Sequence, residues 1–344
     1  ACYGRGGFSP AITDVDLLLG YISEHAFLGG AMMLDRAAAE RVMDQIAALV
    51  DMDRIAVAAG AFRIVNAHMA DLIRRSSIDR GRDPRDFVLF AYGGAGPVHV
   101  AYLARELGIR KIYVPSFATV FSAVGMLTGG ILHRAERSCL LRAPLTAEDA
   151  KKLANIGDEL EDQLSELFDR EKIEPVARRF DFFVHMKYRL QPGALAVPMI
   201  RARSEGARQD LRADFEARYT EIYGPNAAFR NSEVEIVKLH VEGSSDTIAP
   251  TLAPSSIAEN NDPGAAFKCH RPVYFIENAG FISTPVYDGR LLRPGMKIRG
   301  PSIVERMGDS IVLPAFAEAM VDEYENVIIT VGSSEAKGLD RGHD

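Results

Sequence analysis

The chain has 344 residues, of which 47% are hydrophobic and 25% charged, with 40 Lys and Arg against 47 Asp and Glu for a formal charge of −7. That composition can bury a large core in one or two domains and excludes a disordered tail, a collagen-like fibre and a disulfide-stapled miniprotein. It offers no concentrated basic surface, which sets nucleic-acid binding aside. Three cysteines, at positions 2, 139 and 269, are too scattered for a disulfide framework or a CxxC metal site, so reduced thiols in a cytoplasmic protein are expected. No run reaches the roughly eighteen apolar residues of a membrane span. The opening Ala1-Cys-Tyr-Gly4 has neither a methionine nor the pattern of a signal peptide, which is expected of a chain processed or cut from something longer.

Residues 1–20 begin with glycines and a proline and then turn apolar. A helix is predicted over 37–50, with Val42, Ile46 and Leu49 on one stripe, and a longer one over 55–77, with Ile55, Phe62, Val65, Met69 and Leu72 recurring every three or four residues. Gly81 and Pro84 mark its exit. Phe87 to Tyr92 is a continuous apolar run, the pattern of a strand buried on both faces. Gly93-Gly-Ala-Gly96 breaks it, Pro97 suits the first turn of a helix running through Leu107, and Gly108 stops that helix. Lys111 to Val114 is a second strand, so the segment reads as a βαβ unit and implies a parallel sheet. The small residues Ser122, Ala123, Gly125, Gly129 and Gly130 imply a tightly packed helix or a close backbone approach.

After Arg137 the character changes. An amphipathic helix is predicted over 150–171, with Leu153, Ile156, Leu160, Leu164 and Leu167 inward. Residues 180–189 alternate, with Phe182, Val184, Met186 and Tyr188 on one face, and a helix near 208–223 precedes a second alternating strand carrying Val237, Leu239 and Val241. Residues 243–266 have linker composition, 270–331 read as short strands between Gly- and Pro-rich turns, and the last dozen residues read as frayed.

A glycine-rich turn between strand and helix is a phosphate or nucleotide cradle in physical terms, because the backbone can come close and the helix start offers free N–H groups. A tight βα turn with no ligand has the same pattern, and neither GxGxxG nor GxxxxGKS is present. His99 follows in the first turn of the helix, as a structural hydrogen-bonder or a reactive imidazole. Arg5 and Gly6, within Gly4-Arg-Gly-Gly7, can likewise cradle an anion, or belong to a flexible end. Asp14 and Asp16 are spaced as a Mg²⁺ pair, or as a solvated turn or helix N-cap, and His185 and His240-x-Glu242 fall on polar strand faces, where surface residues are expected. No HExxH or GxSxG appears, so nucleophilic catalysis has no support.

Phe90-Ala-Tyr-Gly-Gly-Ala-Gly-Pro-Val-His99, followed by Leu103-Ala-Arg-Glu-Leu-Gly108, Val114-Pro115 and Phe121-Ser-Ala-Val-Gly125, closely resembles the hydantoinase A / 5-oxoprolinase family. That family includes the ATP-binding subunits of N-methylhydantoinase, 5-oxoprolinase, caprolactamase and the acetone and acetophenone carboxylases. Ala1 to Gly7, Thr13-Asp14 and Phe27-Leu-Gly-Gly30 are similar to its mid-chain segment. Asp288-Gly289, Leu292-x-Pro-Gly295, Gly300-Pro-Ser-Ile-Val-Glu305 and Val321-Asp322 resemble its C-terminal region.

The resemblance implies an α/β fold: the second half of an actin-like ATPase (ribonuclease H-like) core over residues 1–137, then an α+β, β-rich C-terminal domain over 138–344. It implies that Gly93, Gly94, Ala95 and Gly96 contact ATP, with Mg²⁺ on the phosphates and His99 nearby as the catalytic candidate. The implied subunit phosphorylates a carbonyl or amide oxygen, and a hydantoinase B-type partner completes carboxylation or hydrolysis of a ketone, hydantoin or lactam. The family's N-terminal phosphate hairpin has no counterpart here, so the missing N-terminal half of the subunit is expected as a partner. At 188–197 the chain reads Tyr-Arg-Leu-Gln-Pro-Gly-Ala-Leu-Ala-Val and keeps only Gln191 of a stretch many hydantoinase-type members carry, which favours a ketone carboxylase over a cyclic-amide hydrolase. A scaffold fragment with no nucleotide of its own is the opposite expectation.

Overall fold

The computed structural model describes residues 1–200, 209–229, 232–246, 251–258 and 260–332. In chain order its helices are α1 (Ile12–Leu18), α2 (Arg36–Val50), α3 (Arg54–Ile78), α4 (Gly96–Leu107), α5 (Phe121–Thr128), α6 (Ala147–Arg170) and α7 (Leu211–Tyr223). The first six strands are β1 (Leu89–Phe90), β2 (Lys111–Val114), β3 (Ile131–Ala143), β4 (Arg178–Tyr188), β5 (Leu195–Met199) and β6 (Val234–Ser245). The rest are β7 (Phe267–Phe275), β8 (Gly280–Asp288), β9 (Lys297–Arg299), β10 (Ser302–Glu305), β11 (Ser310–Leu313), β12 (Ala317–Val321) and β13 (Val327–Val331). The frayed end expected over 333–344 and the linker positions 247–250 and 259 lie outside the described residues.

The chain divides into two compact units, residues 1–124 with the described residues from 251 onward, and residues 125–250. The first unit is thus built from two stretches of sequence that flank the second. The cause is β13, which returns from the far end of the sequence to pair antiparallel with β2, setting Val327 opposite Val114.

In the first unit one sheet runs β1-β2-β13-β12-β9 and a second runs β11-β10-β8-β7. The βαβ unit is present, with β1 parallel to β2, but every other pair in that sheet is antiparallel. The parallel sheet implied by the sequence thus reduces to a two-residue edge. That edge corrects a second expectation: Phe87, Val88, Phe90 and Tyr92 are 47%, 43%, 50% and 53% exposed, because among the described residues β1 is a terminal strand paired with β2 alone. Helix α5 carries no buried residue either, so the small-residue stretch is not a packed helix, although a Cβ on Gly130 would lie 2.6 Å from the Ser245 carbonyl.

Helix α4 explains how this unit coheres. Val98, His99, Val100, Ala101, Tyr102, Leu103 and Ala104 are all buried, so the helix is apolar nearly all round rather than on one stripe. Val100, Ala101, Leu103 and Leu107 join the core of the five-stranded sheet, while Val98 and Tyr102 join the core built from α1, α3 and the second sheet. Gly108 ends the helix at φ 71°, where the Ile109 N–H donates to the Ala104 carbonyl at 2.8 Å. Helices α2 and α3 start on Asp35 and Asp53, whose carboxylates accept N–H groups of their first turns. Helix α3, at 25 residues, contains an 18-residue stretch apolar enough to cross a membrane by length and composition, although Arg63, Asn66, His68 and Asp71 interrupt any continuous apolar run. Ala58, Ala59, Phe62 and Ala70 are buried in the packed cores of this unit.

The second unit is an antiparallel sheet in the order β3-β6-β4-β5. Phe182, Val184, Met186 and Tyr188 of β4 pack with Leu153, Leu160 and Leu164 of α6 and with Phe215 and Tyr219 of α7. The register slips beside Val237, so Ile236 is buried in its place and Val237 is half-buried, a bulge that simple alternation cannot foresee. Gly243 is pressed by aromatic rings: a Cβ there would lie 2.8 Å from Phe168 and 3.2 Å from Phe180. Gly243→Ala is therefore expected to destabilise this unit by about 1–3 kcal/mol, read as faster amide exchange confined to residues 131–245.

Candidate nucleotide-binding turn

The glycine turn is held at both ends. Ala91 donates its N–H to the Tyr113 carbonyl at 2.9 Å, Gly93 to Ala118 at 2.8 Å, and Val98 to Ala95 at 3.0 Å. Gly93 has φ 79°, in the left-handed region, and a Cβ on it would meet nothing within 4 Å. A Cβ on Gly94 would lie 3.2 Å from the Gly308 carbonyl, so the turn touches the loop between β10 and β11. In that loop Arg306 forks onto Asp309 at 2.7 and 2.6 Å and donates to the Pro115 carbonyl at 2.8 Å. Three loops, at 93–96, 115–119 and 306–310, thus meet at one place.

A cleft beside the turn is lined by Ser23, Phe27, Gly94, Glu305, Arg306 and Asp309. Glu305 is 7% exposed and pairs with Lys268 at 2.7 Å and Arg271 at 2.5 Å. Burial alone would raise its carboxyl, but the hydrogen bonds from these two cations hold it below the ordinary carboxylate range. None of Glu305, Arg306 and Asp309 was singled out from sequence as a site residue. The one available signal was the Gly300-to-Glu305 segment, read for family likeness and not for chemistry.

His99 stands beneath the turn. It is 4% exposed, stacks on Phe62 with ring centroids 4.7 Å apart at 21°, and has Nε2 3.7 Å from an Asp16 carboxylate oxygen. The imidazole supports the turn from inside the core rather than opening on the cleft. Asp14 and Asp16 form neither a spaced Mg²⁺ pair nor a solvated turn, because both are buried and serve different partners, but Asp14 does cap the start of α1 by accepting the Ala11 N–H. Asp14 accepts N–H groups from Cys2 at 2.7 Å and Ala11 at 2.8 Å and the nitrogen of Ala1 at 2.9 Å. Burial would raise its carboxyl, yet these donors, Ala11 foremost, bring it below its ordinary value. Burial and the neighbouring Asp14 push the Cys2 thiol up to about 12, so it is an inert core group. Arg5 and Gly6 are exposed in the opening turn, which reaches the cleft wall through Tyr3, 5.6 Å from Phe27 between ring centroids.

In the second unit, His240 is not the surface residue its polar strand face implied. It is 6% exposed, covered by the stacked Phe183 ring at 4.7 Å, and its Nδ1 lies 2.7 Å from Nε2 of His185. Both imidazoles are held below their ordinary value, chiefly by burial. Among the described residues no group of three or more His, Cys, Asp or Glu is placed to hold a metal ion.

The family described as hydantoinase/oxoprolinase matches residues 1–135, and its C-terminal domain matches residues 143–329. This chain belongs to the hydantoinase/oxoprolinase family. It is 31% identical to the acetophenone carboxylase gamma subunit of Aromatoleum aromaticum, over 95% of this chain and 46% of that protein. It is 29% identical to caprolactamase subunit alpha of Pseudomonas jessenii, over 96% and 48%. The crystal structure of the ATP-dependent caprolactamase from Pseudomonas jessenii superposes with a TM-score of 0.73 at 29% identity, covering 96% of this chain and 48% of that one. A nucleotide-free acetone carboxylase structure superposes with a TM-score of 0.77 at 24% identity, over 96% and 48%, and shares the fold. The chain spans about half the length of these relatives. The residues of the turn fit a nucleotide: Gly93 leaves open space where a side chain would stand, and the turn opens directly into the first turn of α4.

Proposed function

We propose that this chain is part of a subunit that binds ATP and activates a carbonyl substrate by phosphorylation within a multi-subunit ketone carboxylase. The observation that carries the reading is the glycine turn, held between β1 and α4 and walled by the 306–310 loop, in a chain whose relatives are carboxylase and caprolactamase subunits. In this reading the family's actin-like ATPase core supplies the frame. Gly93 to Gly96 take the adenosine side, and the remaining phosphate contacts come from the N-terminal half of the subunit.

Bound ATP with Mg²⁺ supplies the phosphoryl group that turns a carbonyl oxygen into a leaving group or an enol phosphate. This chain's own part is placement. Glycine at 93 lets the backbone approach the ligand, glycine at 94 lets the 306–310 loop close on the turn, and the start of α4 directs N–H groups and a positive dipole end toward the ligand. Glu305 stays ionised near neutrality because Lys268 and Arg271 hold it so, and Asp309 is tied to Arg306, so the cleft wall has fixed charges before ligand arrives. A hydantoinase B-type partner then completes the reaction.

Gly94→Ala is expected to raise the KM for ATP about tenfold, because the Gly308 carbonyl must give way, while kcat changes less. The decisive assay is ATP turnover by the intact assembly with a ketone plus bicarbonate, against a hydantoin or a lactam alone. Stimulation by ketone and bicarbonate supports the carboxylase. The ATP-dependent caprolactamase among the solved neighbours favours a cyclic-amide hydrolase as the second reading, and stimulation by lactam or hydantoin alone would select it. An assembly in which ATP leaves residues 93–96 unprotected from amide exchange would make this chain a scaffold.

A further inference from the structure

Three helices place polar groups in one dry spot behind the glycine turn. Asp16 comes from α1, Phe62 from α3, and His99 and Tyr102 from α4. Asp16 and His99 are 2% and 4% exposed, and each leaves an atom without a hydrogen-bond partner: Oδ1 of the carboxylate and Nδ1 of the imidazole. Structures rarely keep two such orphans side by side unless they do something there.

We infer that Asp16 is a positioning residue for the Gly93–Gly96 turn, acting through His99, whose Nε2 lies 3.7 Å from its carboxylate. The inference rests on the reading of that turn as the nucleotide site. A carboxyl group in a core is costly unless a polar partner faces it, and His99 is the side chain that faces Asp16 within ion-pair distance.

The surroundings are apolar or neutral. Tyr21 and Tyr102 pack on the Phe62 ring, with centroids 4.9 and 5.4 Å away, and burial holds both phenols in the neutral form. The Tyr102 hydroxyl donates to Glu277, on an exposed turn, at 3.1 Å. Helix α3 presents Phe62 and Asn66, and the Asn66 amide donates to the Phe62 carbonyl at 2.8 Å. None of these described neighbours is a Lys or Arg, so Asp16 keeps His99 as its polar contact.

The geometry couples the pair to the turn. Phe62 stacks at 21° to the imidazole, so the ring sits between Phe62 on its face and Asp16 at its Nε2 edge. His99 sits three residues after Gly96, in the helical turn whose N–H of Val98 closes on Ala95. A shift of the ring is thus a shift of the first turn of α4, and of the glycines ahead of it.

The test uses the assembled enzyme with Asp16→Asn, His99→Gln and the double variant. Amide exchange at residues 93–100 is measured without nucleotide, and the KM and kcat for ATP are measured beside it. Asp16→Asn is expected to speed exchange at 93–100 about tenfold and to raise the ATP KM about tenfold, with kcat within about twofold. In the His99→Gln background the same change should add less than about twofold, because its route is already cut. Exchange at 93–100 that stays at the wild-type rate in Asp16→Asn overturns the inference, whatever happens to thermal stability. Full additivity in the double variant overturns it as well. Faster exchange with an unchanged ATP KM keeps Asp16 as the positioning residue and removes the nucleotide reading instead. If Asp16→Asn does not accumulate, His99→Gln against His99→Asn gives the same comparison from the other side of the pair.

Discussion

Gly300→Ala is expected to destabilise the first unit by about 3–5 kcal/mol, more than any ordinary surface change. Gly300 lies in the crossing from β9 in one sheet to β10 in the other, and Pro314 lies in the return crossing from β11 to β12. The two crossings are in contact. A Cβ on Gly300 would stand 1.8 Å from the Pro314 carbonyl oxygen and 2.8 Å from that of Leu313. Neither neighbour is a flexible side-chain end that can swing aside. Relief requires the crossings to separate, which would break the Gly300 N–H bond to the Ala317 carbonyl at 2.9 Å and pull at the shared cores beneath. Because the chain has two units, a single unfolding midpoint is not the right readout. Amide exchange should rise across β9 to β13 and α4 while β3 to β6 keep wild-type protection. Wild-type exchange at Ile303, Ile311 and Ala319 would refute this.

Much of this architecture was readable from local pattern. Helices α2, α3, α4 and α6 lie within a few residues of their predicted bounds, because their capping residues and three-to-four-residue apolar spacing are local signals. Residues 87–92 were misread because a continuous apolar run reports burial and not strand length. Here it contributes two ladder residues at an edge with the rest half-exposed. The pairing of β13 with β2 joins residues more than two hundred positions apart, and nothing local announces such a return.

The site was legible to a similar depth. Glycine spacing before a helix pointed to residues 93–96 without knowledge of what faces them. His99 was visible as a histidine in the right turn, but its burial against Phe62 and Asp16 depends on helices drawn from three separate segments. Asp14 and Asp16 show the limit most plainly. Two carboxylates two residues apart look like one motif, yet on a helix they point to different neighbours, one to backbone donors and one to an imidazole. Charge in a sequence carries no sign of its partner, so the Glu305, Lys268 and Arg271 cluster became apparent only once β7 and β10 had been brought into one sheet.

That cluster carries the other large effect. Glu305→Gln is expected to destabilise the first unit by about 2–4 kcal/mol. Lys268 is 42% exposed and can relax into solvent, whereas the Arg271 side chain is 19% exposed and already has a buried Nη2 without a hydrogen-bond partner. The cost therefore falls mainly on Arg271, left facing a neutral amide. The pH dependence follows with a definite sign. In the folded chain Glu305 titrates below its ordinary value of 4.5. As pH falls through about 4.5 the unfolded chain takes up the proton first, so the contribution is complete above that value. It declines below, and is gone once the pH has dropped beneath the folded-state pKa. Wild type should thus lose stability on acidification more steeply than Glu305→Gln, and the two curves should converge at low pH. Parallel curves would mean that Glu305 has no special tie to its cations. A paired replacement, Glu305→Leu with Arg271→Met, removes both buried charges and should recover much of the loss at neutral pH, since the damage in the single variant comes from the cation left behind.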